Sequence, residues 1–483
     1  MKGNGISRRQ FIQSAAAASL AFATPRTAWG KTDADVVIVG AGYSGLSAAL
    51  VLEKQGLDVI ILEARNRIGG RVYSLDDVPG HPEAGANAIV VANGRVHSAA
   101  KKFEAAIVDH AQSSEMNRER VLVLGGKVIP ASAWASSPLN PFPKDLKTMM
   151  PWDYVPRLAS QNNPLQGPED WYNPAFASYD IPMYEFLTRH GADNRLIQLT
   201  NDTNCTTGTS SHDGSALMPL SSDASARHRQ KLANGARFNY VGKGGNQRVP
   251  EAIAKSLKRK VEMRKVVTAI RSESDGADVY CSDGSQYRSR FVICSVPVPV
   301  LRNIRIDPVL TGVQQEAVNT VTYALCTQIH MTVKKPFWKD DGMPPYMWTD
   351  GPAGTVSPSR TGSSPDEVTS IAARARGFMA RYLDRLGPEG AKAAVIKAIE
   401  EVRPAAKGQL IALHFHSWEL DPFAGGADFM IWGPGQVTAF HKKLWAQHGR
   451  ISFCGEHTAL VNRGQEGAME SGERAASEVI AQL

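Results

Sequence analysis

The chain has 483 residues, 43% hydrophobic and 21% charged, which excludes a disordered or collagen-like polymer and leaves room for two sizeable domains. Its formal charge of +7 invites a polyanionic partner, but Lys2, Arg8, Arg9 and Arg26 fall in a first thirty residues that contain no acid. Without them the balance is 50 basic against 47 acidic residues, and no Lys/Arg run interleaves with aromatics, so no nucleic-acid partner is expected.

Residues 1–30 read as an address rather than structure. The paired Arg8 and Arg9, a weakly apolar run from Ala15 to Ala23 and the small-x-small site Ala28-Trp29-Gly30 resemble a twin-arginine (Tat) export signal, which implies the periplasm. The apolar run is too short to span a bilayer, and no other segment approaches eighteen uninterrupted apolar residues, so no membrane span is expected.

From Asp33, "DADVVIVG" is a continuous β-branched run, the pattern of a strand buried on both faces. "LSAALVLEKQG" follows, with Leu46, Ala49, Leu50 and Leu52 at helical spacing and a stop at Gly56; "LDVIILEAR" is then a second buried strand. Such a β-α-β unit has a right-handed crossover and a parallel sheet. Between strand and helix, Gly40-Ala41-Gly42-Tyr43-Ser44-Gly45 fits G-x-G-x-x-G. Gly40 permits the turn, Gly42 admits a pyrophosphate, Gly45 lets helix and strand pack, and the phosphates face the helix N-terminus at Tyr43 and Ser44. Glu63, eighteen residues after Gly45, ends the second strand where an acid can bind ribose hydroxyls.

Further along, residues 130–182 are rich in Pro, Ser, Asn and Trp and read as loops and short helices. Strand signals return between Val266 and Val298, in "VVTAI", "ADVYCSDG" and "FVICSVPVPV". A second irregular block is expected from about Val300 to Glu419. The last sixty residues contain a short strand, "RISFCG", and a helix with Met469, Gly472, Ala476 and Val479 on one face. Cys205, Cys281, Cys294, Cys326 and Cys454 form no C-x-x-C pair, which argues against a metal site or a disulfide framework.

The most specific stretch is "ARNRIGGR", Ala64–Arg71. It matches without a gap the pattern A-R-x-R-x-G-G-R, and here the chain resembles the flavin-containing amine oxidoreductases, the group of monoamine oxidases, polyamine oxidases and L-amino acid oxidases. The resemblance implies that Ala64, Arg65, Gly69, Gly70 and Arg71 embrace the phosphates and ribityl chain of FAD. It continues through "PEAGANAI" with Glu83, Gly85, Ala86 and Asn87 beside the flavin, and through Val267 at the adenine end. Trp418 and Asp421 stand in a W-x-x-D-P pattern, Gly455 and Glu456 fall at the ribityl-phosphate site, and Glu466, Gly467 and Ala468 open the last helix under the ring.

Four departures bear on the chemistry. Where monoamine and polyamine oxidases carry a lysine that holds a water near flavin N5, this chain has Gln328; where they place two aromatics around the amine, it has Asp428 and Gly464, with Trp432 a candidate replacement. Amino acid oxidases carry a carboxylate-binding arginine just after the acid-x-Gly stretch; here Ala88 takes that place, and Arg95 is the nearest candidate. The flavin-tethering cysteine of monoamine oxidases is replaced by Ala427, so the FAD is expected to be non-covalent. Gln328, Trp418, Asp428 and Gly464 are the residues expected around the reacting atoms, and His457, next to Glu456, is a further candidate.

The resemblance thus implies an α/β fold: a discontinuous Rossmann-like FAD-binding domain of the GR2 type (34–105, 236–300 and 420–483) with an inserted α+β substrate-binding domain (106–235 and 301–419). The implied reaction oxidises a C–N bond of a neutral amine by hydride transfer to flavin N5, with hydrolysis of the imine and electrons passed to O2 or a periplasmic acceptor. An L-amino acid oxidase, a desaturating relative and a non-catalytic flavoprotein subunit stay open as alternatives, as does a homodimer.

Overall fold

A computed structural model describes residues 32–109, 119–232, 239–361, 367–441 and 443–483; the expected export signal lies outside them. The strand Ala34–Val39 is the centre of an eight-stranded sheet, and its Val36, Val37 and Ile38 are fully buried. It pairs in parallel with Val59–Glu63 on one side and with Gln286–Cys294 on the other. Gln286–Cys294 is long enough to serve two neighbours along its outer edge. Its first half pairs antiparallel with Ala277–Cys281, and its second half pairs in parallel with Ile451–Phe453. Three distant stretches of chain therefore meet in one sheet. The sheet also takes in Arg305–Asp307 beside Val267–Ser272, beyond the boundary expected at 300.

Two helices cover one face of this sheet. Tyr43–Lys54 follows the first strand as its apolar spacing dictates, and Gly464–Ile480 lies against it. Their backbones approach so closely that a Cβ on Gly472 would stand 2.1 Å from the Ser44 carbonyl oxygen. Ala48, Leu52, Ala475, Ala476 and Val479 fill the seam over Val36 and Ile38. Fully burying each such Val or Ile is worth about 1.5–3 kcal/mol.

The second lobe corrects the sequence reading. Residues 300–419 are not irregular: Cys326–Val333, Met347–Thr349, Thr355–Ser359, Ser370–Arg376 and Leu410–Ser417 join Val121–Leu124 and Lys127–Ile129 in a seven-stranded sheet. A helical element, Gly377–Val402, packs on it and bends where Gly387 takes φ +70° ahead of Pro388. The pattern is hidden because Cys326–Val333 buries polar residues. Ile329 and Met331 face the helix side, while Gln328 and His330 are buried on the opposite face. The Gly-Pro break likewise interrupts the helical period. Residues 130–182 do form short helices and turns, chiefly Ala131–Trp134 and Pro151–Gln161. Among the described residues no helix is long and apolar enough to cross a membrane.

Candidate cofactor cleft

The chain leaves the strand Ala34–Val39 through Gly40, whose φ of +105° a side chain would resist. A Cβ on Gly45 would lie 2.1 Å from the Gly40 carbonyl oxygen, so Gly45 sits behind the turn and lets the helix close on the strand. At Gly42 a Cβ would meet nothing within 4 Å, and this residue lines an open cleft. Gly42 is also the N-cap of the helix Tyr43–Lys54 and offers no side-chain cap, which leaves the helix's first N–H groups and its positive end available to an anion.

The cleft spans about 1240 Å³ of space that opens to solvent. Gly40, Gly42, Tyr43, Ser44, Glu63, Ala64, Arg65, Gly69, Gly70, Arg71, Gly85, Ala86, Val267, Trp418, Gly455, Glu456 and Ala468 all line it, together with Asp428 and Gly464. Its walls also include Ser295, Val296, Pro297, Val300 and Ile304, which follow the strand Gln286–Cys294. Sequence reasoning noted that strand but not the residues after it. Ser295 Oγ donates to the Val39 carbonyl at 2.7 Å and would clash with a Cβ on Gly40, so the strand-end serine and the glycine require each other.

The charged residues divide into those that build the wall and those that face the cleft. Glu63 accepts from the backbone N–H of Ala41 at 2.9 Å and of Arg65 at 2.8 Å, so it first fixes the turn it follows. Arg65 lines the cleft and is also paired within the protein. Its Nη2 reaches both Asp421 oxygens at 2.7 Å; burial opposes its charge, and Asp421 with Glu63 more than offsets that, so the charge is compensated within the protein. Arg71 keeps more freedom: Nη1 donates to the Asp428 carbonyl at 3.1 Å, and Nη2 lies 3.9 Å from Glu456. Burial pushes the Glu456 carboxyl and the Tyr43 phenol up, and Glu456 Oε2 and Tyr43 Oη are buried without a hydrogen-bond partner. Open glycine backbone, a bare helix N-terminus and unpartnered polar atoms on one cleft fit a dinucleotide.

Other expected residues stand off the lining. Glu466 is off the cleft: its carboxylate accepts from the backbone N–H groups of Arg95 and Val96 and pairs with the Arg95 guanidinium at 3.1 Å, holding the helix Gly94–Lys102. Arg95 is thereby committed to Glu466 and Glu473 and is no carboxylate receptor. Gly467 serves packing, since a Cβ there would sit 2.4 Å from the Asn462 carbonyl oxygen, and Asn87 is exposed off the lining. Gln328 is buried behind the wall, where its Nε2 donates to the Ala84 carbonyl at 2.8 Å and its Oε1 faces His330 Nε2 at 3.0 Å. Trp418 Nε1 donates to the same Ala84 oxygen at 2.8 Å.

The far end of the cleft departs from an aromatic cage. Asp428 holds φ +49°, and its Oδ2 accepts from Arg376 Nη1 at 2.5 Å. A Cβ on Gly464 would meet nothing within 4 Å. Trp432 packs edge-on against Trp171 in a separate cavity and supplies no replacement ring on this cleft. His457 packs under Gly455 rather than on the cleft; burial, then Arg71 and Arg474, push it down to about 3, so it is neutral. Arg376 was invisible to sequence reasoning because it ends a strand in the stretch read as irregular. Among the described residues no cysteine lines the cleft, and no cluster of ligating side chains fits a metal.

A family model described as flavin containing amine oxidoreductase matches residues 43–480. An amine oxidase of Oncorhynchus mykiss is 25% identical over 468 residues, covering 93% of this chain and 86% of that one. Human amine oxidase B is 26% identical over 462 residues, covering 92% and 86%. The fold is shared with putrescine oxidase bound to putrescine (TM-score 0.74, 23% identity, 93% and 99% covered). It is shared also with cyclohexylamine oxidase of Brevibacterium oxydans (TM-score 0.74, 20% identity, 93% and 99% covered). With the match spanning nearly the whole described fold, the chain belongs to the flavin-containing amine oxidoreductase family and is an FAD-dependent amine oxidoreductase.

Proposed function

We propose that the protein is an exported amine oxidoreductase that oxidises a C–N bond and hands the electrons to O2 or to a periplasmic acceptor. One observation carries this reading. One cleft is lined by the glycine cradle and also by Asp428 and Gly464, and a Cβ on Gly464 would meet nothing within 4 Å, which supports room for a substrate beside the cofactor. FAD, when bound, supplies the ring that takes hydride from the amine's α-carbon.

The protein's own contribution is positioning and dry electrostatics. Gly40, Gly42 and the helix N-terminus hold the phosphate end, while Gln328 and Trp418 together fix the Ala84 carbonyl and so the wall segment 84–86. The Gln328 amide bonds to the Ala84 carbonyl, Cys326 Sγ and His330, and no amine stands at that position to hold a water for oxygen chemistry. That supports an acceptor other than O2. The absence of a cysteine on the cleft, and Ala427 at the tethering position, support non-covalent FAD.

The test is an anaerobic screen of amines and amino acids followed by flavin absorbance, with acid precipitation of the protein. Bleaching by an amine and release of free flavin are expected. If no amine or amino acid bleaches a flavin that dithionite reduces, the protein is instead a non-catalytic flavoprotein subunit. Rapid peroxide formation at full turnover in air would remove the alternative acceptor.

A further inference from the structure

An apolar row stands out from the second lobe close to the cleft. The strand Ser370–Arg376 passes directly into the helical element Gly377–Val402, whose first turns carry Phe378, Arg381, Tyr382, Arg385 and Leu386 at the spacing of one helix face. Ala380 and Leu383, on the opposite face, are buried. Phe378 is 63% exposed, Tyr382 44% and Leu386 40%. Arg381 reaches Glu419 at 3.9 Å, and the exposed Leu420 follows that acid, so it widens the row. Four of the eleven exposed large hydrophobic side chains among the described residues thus share one patch, which sets it apart from singly scattered ones.

The exposed charge along the row has one sign. Arg381 and Arg385 are both exposed. The acid of these turns, Asp384, is turned to the sheet, where its carboxylate accepts from Thr327 Oγ1 at 2.6 Å and from Ser417 Oγ at 2.9 Å. Glu389 lies beyond the break at Gly387 and pairs with Lys392 at 2.9 Å. Two arginines among aromatic and aliphatic side chains, with Glu419 at the edge, complement a partner that is apolar at its centre and acidic at its rim. A second copy of the chain is a poor match, because a two-fold contact sets each arginine row against its own image.

The row also lies near the cofactor. Phe378 comes two residues after Arg376, so their Cα atoms are within about 8 Å of each other. Arg376 Nη1 donates to Asp428 Oδ2 at 2.5 Å, and Asp428 lines the cleft with Arg376 behind it. One arginine side chain and a short piece of backbone therefore separate Phe378 from the cleft lining.

Resting on the reading above of amine oxidation with an acceptor other than O2, we propose that Phe378, Arg381, Tyr382, Arg385 and Leu386 form the docking surface for a soluble one-electron carrier protein whose redox centre lies under an apolar patch rimmed by acids. One amine and one water yield the carbonyl, ammonia, two protons and two electrons. Two copies of the carrier take one electron each in successive encounters, and the protons pass to solvent. A small, salt-sensitive surface suits such encounters, since the carrier must leave after each electron.

The test uses the FAD-loaded full chain, with its flavin reduced anaerobically by dithionite and its reoxidation followed by stopped-flow absorbance. Three oxidants are compared: cytochrome c made acidic by succinylation of its lysines, native basic cytochrome c, and uncharged 1,4-benzoquinone. The acidic cytochrome should oxidise the flavin about tenfold or more faster than the basic one at low salt, and lose most of that advantage between about 20 and 200 mM salt. Arg381→Glu with Arg385→Glu, and separately Phe378→Ser with Tyr382→Ser, should each slow the acidic cytochrome about tenfold or more while changing the benzoquinone rate less than about twofold. Should the double variants lose flavin, Arg385→Ser alone is held to a slowing of about threefold with the same benzoquinone control. Equal rates with the two cytochromes, or variants that slow the acidic one no more than benzoquinone, overturn the docking surface and leave amine oxidation standing. Loss of phosphatidylglycerol-vesicle binding, or of a dimer in ultracentrifugation, on Phe378→Ser with Tyr382→Ser then assigns the row to a membrane or to a second copy. Arginine-dependent transfer from the dithionite-reduced flavin, where no amine bleaches it, keeps the surface and counts against amine oxidation.

Discussion

The two ends of the cleft are made of different materials. At the phosphate end the work is done by backbone: Gly40, Gly42, Gly69 and Gly70, three of them at positive φ, and a helix start without a side-chain cap. Toward Asp428 it is done by side chains that arrive from separate segments of both lobes: Trp418 and Asp428 on the lining, with Gln328 and Arg376 behind them. Backbone geometry tolerates few substitutes, because a Cβ either fits or does not. A side-chain wall can be re-specified residue by residue without disturbing the fold. The phosphate end therefore records the family, and the far end records this protein.

That contrast can be broken experimentally. Gly45→Val should have the largest effect, since a Cβ there falls 2.1 Å from the Gly40 carbonyl oxygen and the turn must open. The protein should purify with less than about a tenth of the wild-type flavin per chain, because overpacking of this kind costs about 1–3 kcal/mol or more. Normal flavin content would show that the turn is not the cofactor's support. Gln328→Ala should be milder: the Ala84 carbonyl keeps its bond from Trp418, but His330 loses its partner. A loss of about 1–3 kcal/mol in urea unfolding of the FAD-loaded protein is expected, with flavin content retained.

Glu83→Gln should act most gently, through pH. Burial pushes the Glu83 carboxyl up to about 8, against the hydrogen bonds from Asn246 and Ser74, whereas in the unfolded chain it titrates near 4.5. Between those values the folded state holds a proton that the unfolded state has released, so stability falls as pH rises through the window. Thermal melts from pH 5 to 8 should show a downward slope that the glutamine variant flattens; an unchanged slope would place it on another group.

Legibility in the sequence followed the same division. Strand, turn and helix around Gly40 to Glu63 were readable because β-branched runs, glycines and helical spacing are local signals. Glu466 and Arg65 were placed on the cofactor by motif position, yet their charges are spent on Arg95 and Asp421, partners 371 and 356 residues away. No local pattern reports such pairings. The second sheet was missed because Gln328 and His330 occupy buried strand positions where apolar alternation is expected, and their partners lie on Ala84 and on each other. Polar burial that fixes a wall looks, in sequence, like a loop.

The sheet joins the strand Ala34–Val39 to Gln286–Cys294 and, through it, to Ile451–Phe453, while the helix Gly464–Ile480 closes on Tyr43–Lys54. During synthesis the glycine turn emerges some four hundred residues before the helix that backs it. A nascent chain therefore has no finished berth for FAD, and flavin loading belongs to the time after translation has passed residue 480.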